Sequence, residues 1–312
     1  MAGSLSPIFP QHAQLAFDSY WRRNQAQQLN ERLLGTYDTI TVEGERHRGD
    51  IDGAQTYAMR QITGRAQKTE PSDIPNQFWW VTPRGFDKTT WVDQFDKVIL
   101  GKLGDPSSMV SRNHAIAANR QKDLINLAAL GGTRFTGPKG TTTQALPTTG
   151  GPTGTGQVIG VQFGSGGANS GLQLAKLTQT AFILDQNEIE RSERFFAYTA
   201  KQLNNLLTNV DQVDSVLYND VRALVDGNIR NFMGFTFKML QLVPFVSGST
   251  TVRSCFAWQK MGLMLGMGQE VMSTIDRLPQ QSNAVQVYTC MMMDATRTQD
   301  EAVVQINNDE SV

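Results

Sequence analysis

Charged residues are scarce in this 312-residue chain. They make up 18% of the sequence, and 28 Lys+Arg nearly balance 29 Asp+Glu, whereas an average soluble domain has about 25% charged residues. A protein that reads nucleic acid normally has a basic surplus, and a disordered protein has a large charge of one sign. The near-neutral balance argues against both classes.

Neutral polar residues take the place of the missing charges. Gln, Asn, Thr and Ser are abundant, together with 12 Met and 28 Gly. A neighbouring subunit can cover such a surface at a lower desolvation cost than a surface of Lys and Glu, which interfaces tend to exclude. The composition therefore favours a protein that assembles.

Cysteine and histidine are also rare. Cys255 and Cys290 lie in apolar runs without metal-ligand spacing, which indicates reduced core residues in a reducing compartment. His12, His47 and His114 lie far apart in the sequence and outside any metal-binding motif. We therefore expect no metal site, and we expect His114 to be a surface or packing residue.

Long apolar runs are absent from the sequence. A membrane span needs about 20 consecutive apolar residues, and a signal peptide needs a basic start followed by an apolar run. The opening residues "MAGSLSPIFPQ" have neither feature. We expect no membrane contact, and we expect synthesis and use in the cytoplasm unless something carries the protein out.

Complete catalytic and nucleotide-binding motifs are missing as well. Gly132 and Gly137 have the spacing of a phosphate-binding loop, but Pro138 and Lys139 follow where Gly-Lys is required. The glycines of "GTGQVIG" miss the dinucleotide-binding spacing, and no serine lies in a G-x-S-x-G turn. We expect no cofactor, and an enzyme with an unrecognised site is the least favoured alternative.

An N-terminal segment combines apolar ends with a polar centre. Residues 11–34 alternate too irregularly for a strand and are compatible with a helix. Phe17, Tyr20 and Trp21 cluster near one end, and leucines lie at the other. The segment is either a surface helix of its own domain or an arm whose two apolar ends lie on different neighbours.

Two β-like pieces flank a polar stretch between residues 38 and 90. They are "TITVEGERHRG" and "NQFWWVT", and the stretch between them contains the turn formers Gly64, Pro71 and Pro75. Long excursions from a compact domain are usually functional or disordered. The pattern predicts a long protruding hairpin.

Residues 107–130 have the clearest helical pattern in the sequence. Serine stands at the start, a pair of glycines follows the end, and apolar residues recur at helical spacing. Such a helix would be about 36 Å long. Further helices are predicted near 170–183 and 211–225, and the latter ends at Gly227.

The stretch "NIRNFMGFTF" surrounds Gly234 with bulky apolar residues. Glycine inside a strand permits close backbone approach or a bulge. We expect a buried strand in which Gly234 lies between Phe232 and Phe235. A larger residue at Gly234 would then overpack the core, which typically costs about 1 to 3 kcal/mol.

The end of the chain has the two-residue period of strands. Apolar side chains alternate from Val285 to Met293, and "AVVQIN" alternates again after a polar turn. We expect these two pieces to pair as an antiparallel hairpin. Because helices and strands interleave along the chain, the fold class is α+β.

Taken in order, these features resemble the major capsid (coat) proteins of tailed bacteriophages. Residues 89–133 resemble that family's acidic strand, Asp-Pro-Ser turn and long spine helix, and residues 193–207 resemble its arginine-led strand and short leucine-containing helix. Residues 223–240 resemble its Gly-x-Ile-x-x-x-x-Gly-Phe strand. The matching residues include Asp93, Asp96, Lys97, Asp105, Pro106, Ser107, Arg120, Arg194, Gly227, Ile229, Gly234 and Phe235.

The resemblance implies the HK97-like capsid fold. Its parts would be an N-terminal arm (1–40), an extended loop (41–92), a peripheral domain with the spine helix 107–130 (93–185), an axial domain (186–280) and a C-terminal hairpin returning to the peripheral domain (281–312). Many copies would form hexamers and pentamers that close into an icosahedral head around double-stranded DNA. A near-neutral protein suits such a container, because many basic contacts would hold the genome tightly.

The resemblance also implies partners and contact residues. The partners would be further copies of the chain, portal, scaffolding and cement proteins, and DNA held by weak non-specific contact, in a virion assembled in the host cytoplasm. A tail or receptor-binding protein is the alternative, although the repeats or heptads of a fibre are missing. Candidate inter-subunit contacts are Phe17, Tyr20, Trp21, Arg46, Arg48, Arg65, Lys68 and Arg84, and candidate structural residues are Gly227, Gly234 and Phe235.

Overall fold

The computed structural model describes residues 31–52, 61, 63–65, 67–68, 76–93, 106–148, 156–209 and 231–311. Helices and strands alternate within these ranges, which confirms the α+β class. The α-helices are α1 (Pro106–Gly131), α2 (Leu174–Gln186) and α3 (Ala200–Asn209). The predicted helix at 211–225 and Gly227 lie outside the described residues.

The described strands form three sheets. They are β1 (Asp38–Thr41), β2 (His47–Asp52), β3 (Asn76–Val81), β4 (Arg84–Val92), β5 (Arg134–Thr136), β6 (Thr142–Gln144), β7 (Val158–Ile159), β8 (Arg194–Tyr198), β9 (Asn231–Phe232), β10 (Phe235–Met239), β11 (Val252–Gln259), β12 (Leu263–Leu278), β13 (Ala284–Arg297) and β14 (Val303–Asp309).

The first sheet has the order β1-β12-β13-β4 and packs against α1. β1 runs parallel to β12, and the other neighbours are antiparallel. Val110 of α1 packs with Val92 and Val287 of the sheet because apolar residues recur at helical spacing along one side of the helix. The observed bounds of α1 confirm the helix predicted at 107–130.

The second sheet has the order β7-β14-β11-β8-β10-β9 and contains much of the core. Every residue of β8 is buried, as expected for a central strand covered on both faces. Phe196 packs against Phe235 and Phe237, with ring centroids 6.3 and 5.1 Å away. Phe235 is fully buried within this group of rings.

The third sheet has the order β2-β3-β5-β6 and contains the stem of the predicted long hairpin. β2 and β3 pair antiparallel from His47 opposite Val81 to Asp52 opposite Asn76. Trp80 of β3 also pairs with Phe135 of β5, so the stem is joined to the body by a sheet contact. The hairpin prediction is confirmed for this stem.

The predicted C-terminal hairpin is wrong. β13 pairs with β12 and β4, whereas β14 pairs with β11 and β7 in another sheet. Alternation identifies a strand and its buried face, and Val287, Met291 and Met293 are indeed buried. It does not identify the partner strand. The true partner, β12, has two register shifts between Met267 and Met272 that interrupt its own periodicity.

Sheet membership also crosses the domain boundaries predicted at 92, 185 and 280. β4 ends the predicted loop 41–92 but pairs with β13, and β12 lies in the predicted axial segment 186–280 but belongs to the same sheet as β4. α2 lies in the predicted peripheral segment 93–185 and packs on β14, and β14 pairs with β11 of the predicted axial segment. Turn signals mark where elements end and do not show which sheet a strand joins. The peripheral and axial assignments stay predictions.

Gly234 lies in a turn, so its predicted place inside a packed strand is wrong. Met233 and Gly234 connect β9 to β10 in a two-residue hairpin, with φ of 50° and 81°. A Cβ added at Gly234 would have no heavy atom within 4 Å. The glycine is therefore favoured by backbone conformation, because two-residue hairpin turns of this kind require positive φ at both positions. Its neighbours Phe232 and Phe235 are buried as predicted.

Arg297 connects the end of the first sheet to the end of α1. Its side chain is fully buried, and Nη1 donates to the carbonyl oxygens of Ala129 and Leu130 at 3.1 and 2.8 Å and to that of Gly132. Nε donates to Asp300 Oδ1 at 3.0 Å. The last carbonyls of a helix lack partners within the helix and carry partial negative charge. Arg297 therefore satisfies the C-terminus of α1 with hydrogen bonds and with charge.

Substitution of Gly234 should separate backbone strain from overpacking. We expect Gly234→Val to destabilise the subunit by about 1 to 2 kcal/mol, because a side chain at positive φ is strained. Gly234→Asn should be nearly neutral, since asparagine tolerates this conformation. Chemical unfolding of the dissociated subunits measures both. Equal losses for the two variants would instead support a packing clash.

Removal of the Arg297 side-chain charge should be far more harmful than removal of a surface guanidinium. We expect Arg297→Met to lower the free energy of unfolding by about 3 to 5 kcal/mol, because Asp300 and the helix carbonyls lose a buried partner. The control is Arg191→Met, since the Arg191 side chain is 80% exposed beside Asp185. The control should change stability by less than about 1 kcal/mol. Similar losses in both variants would contradict this role of Arg297.

Candidate assembly surfaces

The first described residues are fastened to α1. The backbone N–H groups of Arg32 and Leu33 donate to the two carboxylate oxygens of Asp123, at 3.2 and 3.1 Å. Glu31 lies 3.8 Å from Lys122 Nζ and accepts a hydrogen bond from the Tyr37 hydroxyl. Burial raises the pKa of Asp123, and the two N–H donors partly offset this effect. The point from which the N-terminal segment departs is therefore fixed on the helix.

The stem of the long hairpin depends on one glycine. Gly49 of β2 lies directly opposite Trp79 of β3, and a Cβ at Gly49 would come within 2.0 Å of the indole ring. The missing side chain lets the ring lie across the strand, where Trp79 packs with Val42 and Val81. This small cluster holds the hairpin stem against the body.

The predicted basic contact residues that are described are all exposed. Arg48 lies on the stem, where its Nε is 3.1 Å from Asp50 and its guanidinium carbon is 5.2 Å from the centroid of the Phe78 ring. Arg46 Nε lies 3.9 Å from Glu45. Surface ion pairs of this kind contribute little to stability. They do, however, restrict the positions of the guanidinium groups on the hairpin.

The remaining predicted contacts are spread along the chain. Arg84 begins β4, and its Nη2 lies 3.5 Å from an oxygen of Asp294. Arg65 and Lys68 are exposed in the short described pieces between β2 and β3. Phe17, Tyr20 and Trp21 lie outside the described residues. The structure thus places Arg48 on the stem and Arg46 directly before it, whereas Arg84 lies on a strand of the first sheet.

A cavity of about 220 Å³ lies between α1 and the strands β4 and β13. Its lining residues are Phe86, Asp87, Lys88, His114, Ala117, Ala118, Gln121, Thr289, Cys290 and Met291. The two alanines leave space at the wall that the helix contributes. No sequence signal identified this cavity, because it depends on which strand lies beside the helix.

His114 fixes α1 to two strands of the first sheet. Its Nε2 is 2.8 Å from Thr90 Oγ1, and its Nδ1 is 3.1 Å from Thr289 Oγ1. Burial and the neighbouring charge of Lys88 lower the pKa of the imidazole. The side chain is almost completely buried. It is therefore a packing residue, one of the two roles expected from the sequence.

The described part of the chain offers little chemistry besides structural contacts. Within those ranges, no group of His, Cys, Asp and Glu side chains is placed to hold a metal ion. The thiols of Cys255 and Cys290 are free, and burial raises the pKa of Cys255 to about 12. None of the described helices is both long and apolar enough to cross a lipid bilayer.

The sequence did not indicate the structural roles of Asp123 and Gly49. Asp123 lies among the residues compared with the spine helix, but nothing indicated that it binds the backbone of the N-terminal segment. Gly49 is preceded and followed by polar residues, so its pairing with Trp79 became visible only when the register was known. A glycine in a β-like piece that faces a tryptophan-rich piece is the signal that could have suggested it.

Comparison with known proteins agrees with the fold. A family model described as phage capsid protein matches residues 10–310. A search of curated protein sequences gave no significant match. Among solved structures, the chain resembles the capsid of cyanophage P-SCSP1u with a TM-score of 0.64 at 13% identity, over 91% of this chain and 90% of that chain.

Two further capsids show the same likeness. The capsid protein of Helicobacter pylori bacteriophage KHP30 gives a TM-score of 0.64 at 9% identity, over 92% of this chain and 93% of that chain. The capsid protein of cyanophage Pam1 gives 0.60 at 10% identity, over 94% and 96%. At identities this low, the structural likeness establishes the fold alone, which is HK97-like. The family is established by the family model. This chain belongs to the phage capsid protein family and is a structural protein of the phage head, not an enzyme.

Proposed function

We propose that copies of this chain form hexamers and pentamers that close into an icosahedral shell around double-stranded DNA. The observation that carries the proposal is the family match over nearly the whole chain. Assembly would take place in the host cytoplasm together with portal and scaffolding proteins, and a cement protein would bind the outside of the shell.

We further propose that the shell touches DNA only weakly. Many described basic side chains already have acidic partners within the chain, including Arg84 with Asp294 and Arg253 with Glu310. Each guanidinium that is neutralised in this way is less available to a phosphate group. A small number of phosphate contacts gives weak binding that depends little on salt.

Two structural features would make the contacts between subunits. One is the long hairpin, with Arg46 directly before its stem, Arg48 on the stem, and Arg65 and Lys68 near its centre. The other is the N-terminal segment with Phe17, Tyr20 and Trp21. The support for the first is the restricted position of Arg48 between Asp50 and Phe78. The support for the second is the firm attachment of Arg32 and Leu33 to α1.

Size-exclusion chromatography with light scattering tests the proposed assembly. We expect purified protein to form ring-like capsomers or megadalton shells that are visible by electron microscopy. A compact 34.5 kDa monomer at every concentration, in the presence and absence of crowding agents, would contradict the proposal.

Trp21 should be needed for assembly and not for folding. We expect Trp21→Ala to leave the unfolding midpoint of the dissociated subunit unchanged while lowering the yield of shells, because the side chain would contact a neighbour. Trp79→Ala is the contrasting variant, since Trp79 is 5% exposed in the hairpin stem and loss of a core tryptophan costs about 3 to 5 kcal/mol. A normal yield of stable Trp21→Ala shells would refute the proposed contact, and insoluble protein would indicate packing within its own subunit.

A further inference from the structure

A groove runs between the free side of β4 and the flank of α1. β4 is the last strand of its sheet in the described part of the chain. Phe86 and Lys88 of β4 lie in register with Met291 and Thr289 of β13, and Thr289 contacts His114 of α1. These β4 side chains therefore face the helix. We call this feature, which includes the 220 Å³ cavity, the β4–α1 groove.

The β4–α1 groove is suited to an aromatic side chain. Phe86, Met291, Ala117 and Ala118 supply apolar walls. A protein cavity of about 150 Å³ already binds benzene, and this cavity is larger. Because the two helix residues are alanines, the space is not filled by side chains of the described residues.

One further exposed apolar side chain lies along the helix beyond the cavity, past Gln121. Leu124 is 40% exposed and lies seven positions after Ala117, which places the two residues about two turns apart on the same flank of α1. The outer backbone groups of β4 lie along the opposite side of the groove. An unpaired strand edge offers N–H and C=O groups to an incoming chain. The groove therefore combines an apolar pocket with a backbone edge.

The position at which the described chain begins indicates what enters the groove. Asp123, which binds the N–H groups of Arg32 and Leu33, is nine positions after His114, or about two and a half turns of helix. Arg32 and Leu33, which anchor the N-terminal segment, therefore lie on the side of α1 opposite His114 and the groove. Trp21 lies ten positions before Glu31, so an extended connection can reach about 33 Å from the anchor. An adjacent copy that packs within this distance would bring its own β4–α1 groove within reach of the aromatic residues.

We propose that the β4–α1 groove of one subunit binds the aromatic cluster Phe17, Tyr20 and Trp21 of a second copy of this chain. The proposal rests on the proposed self-assembly and adds the place where the segment docks. The cluster is the densest group of aromatic residues in the thirty residues before the anchor. An aromatic ring brings a large apolar area into such a pocket with few rotatable bonds.

Cysteine cross-linking tests the contact directly. The variant combines Ser19→Cys, which leaves Phe17, Tyr20 and Trp21 in place, with Ala117→Cys in a Cys290→Ser background. The matched control replaces Ala117→Cys by Ala115→Cys, at an exposed position outside the cavity on the same helix. Assembled particles are treated with a short bismaleimide and boiled. We expect a ladder of multiples of 34.5 kDa for the Ala117→Cys variant and monomers for the control.

The alternative outcomes are distinct. An internally cross-linked monomer would show that the segment folds onto its own subunit, and uncross-linked monomers from intact particles would show that the groove is not its site. Either result overturns the docking proposal while self-assembly stands. If the unsubstituted protein forms no particles under any condition, the proposed function itself fails.

Filling the cavity gives a second test that needs no cross-link. We expect Ala117→Trp to lower the yield of shells at least tenfold while the subunit remains folded and monomeric, because the introduced ring occupies the groove. Ala115→Trp, which adds the same ring outside the cavity, should assemble normally. Equal yields from these two variants would overturn the proposal.

Discussion

The arrangement of the two large sheets depends on the hydrogen bonds that the buried guanidinium of Arg297 makes. This guanidinium lies at the last residue of β13, binds the terminal carbonyls of α1 and pairs with Asp300. Arg134 of β5 joins the same group, with Nη2 3.3 Å from an Asp300 oxygen. A buried charge is tolerated only when it is paired and hydrogen-bonded. The chain turns at this point, where it leaves the first sheet to enter β14 in the second.

Lys176 is a second buried charge that hydrogen bonds stabilise, and it lies beside β14 of the second sheet. Its Nζ donates to the carbonyl oxygens of Val161, Ser170 and Asn307 at 3.0, 2.9 and 3.0 Å, and burial lowers its pKa to about 8. The amine thereby joins α2 and the preceding loop to β14. Several of the few charged residues thus act inside the fold. The low charged fraction of the whole sequence favours a surface that a neighbouring subunit can cover at low desolvation cost.

Helices and strands were predicted correctly where the signal for them lies in consecutive residues. The long helix α1 and the β2–β3 stem were predicted because periodicity, end signals and β-propensity belong to consecutive residues. The β8–α3 unit was expected from the resemblance to the capsid family. Strand partners were not predictable in this way: β13 pairs with a strand whose periodicity is broken by register shifts.

Gly234 illustrates a different limit of sequence-based prediction. Its aromatic neighbours predicted a single buried strand, and Phe232 and Phe235 are indeed buried. The same letters fit a strand and a turn, however, and only the backbone angles show that Gly234 lies in the turn. The assembly surfaces were still less accessible, because the cavity beside α1 is formed by residues far apart in the chain.

The attachment of the N-terminal segment to α1 bears on how a shell can be held together without many strong contacts. Ordering a flexible segment at an interface costs conformational entropy, and the bonds from Asp123 already fix the residues from which the segment departs. Once two subunits touch elsewhere, such an anchored segment meets a neighbouring groove at a high effective concentration. Each docking contact can therefore be individually weak, as a neutral polar surface and one aromatic cluster would give. In a closed shell every subunit would make the same contacts with its neighbours, so the stability of the assembly would come from their number and simultaneous engagement.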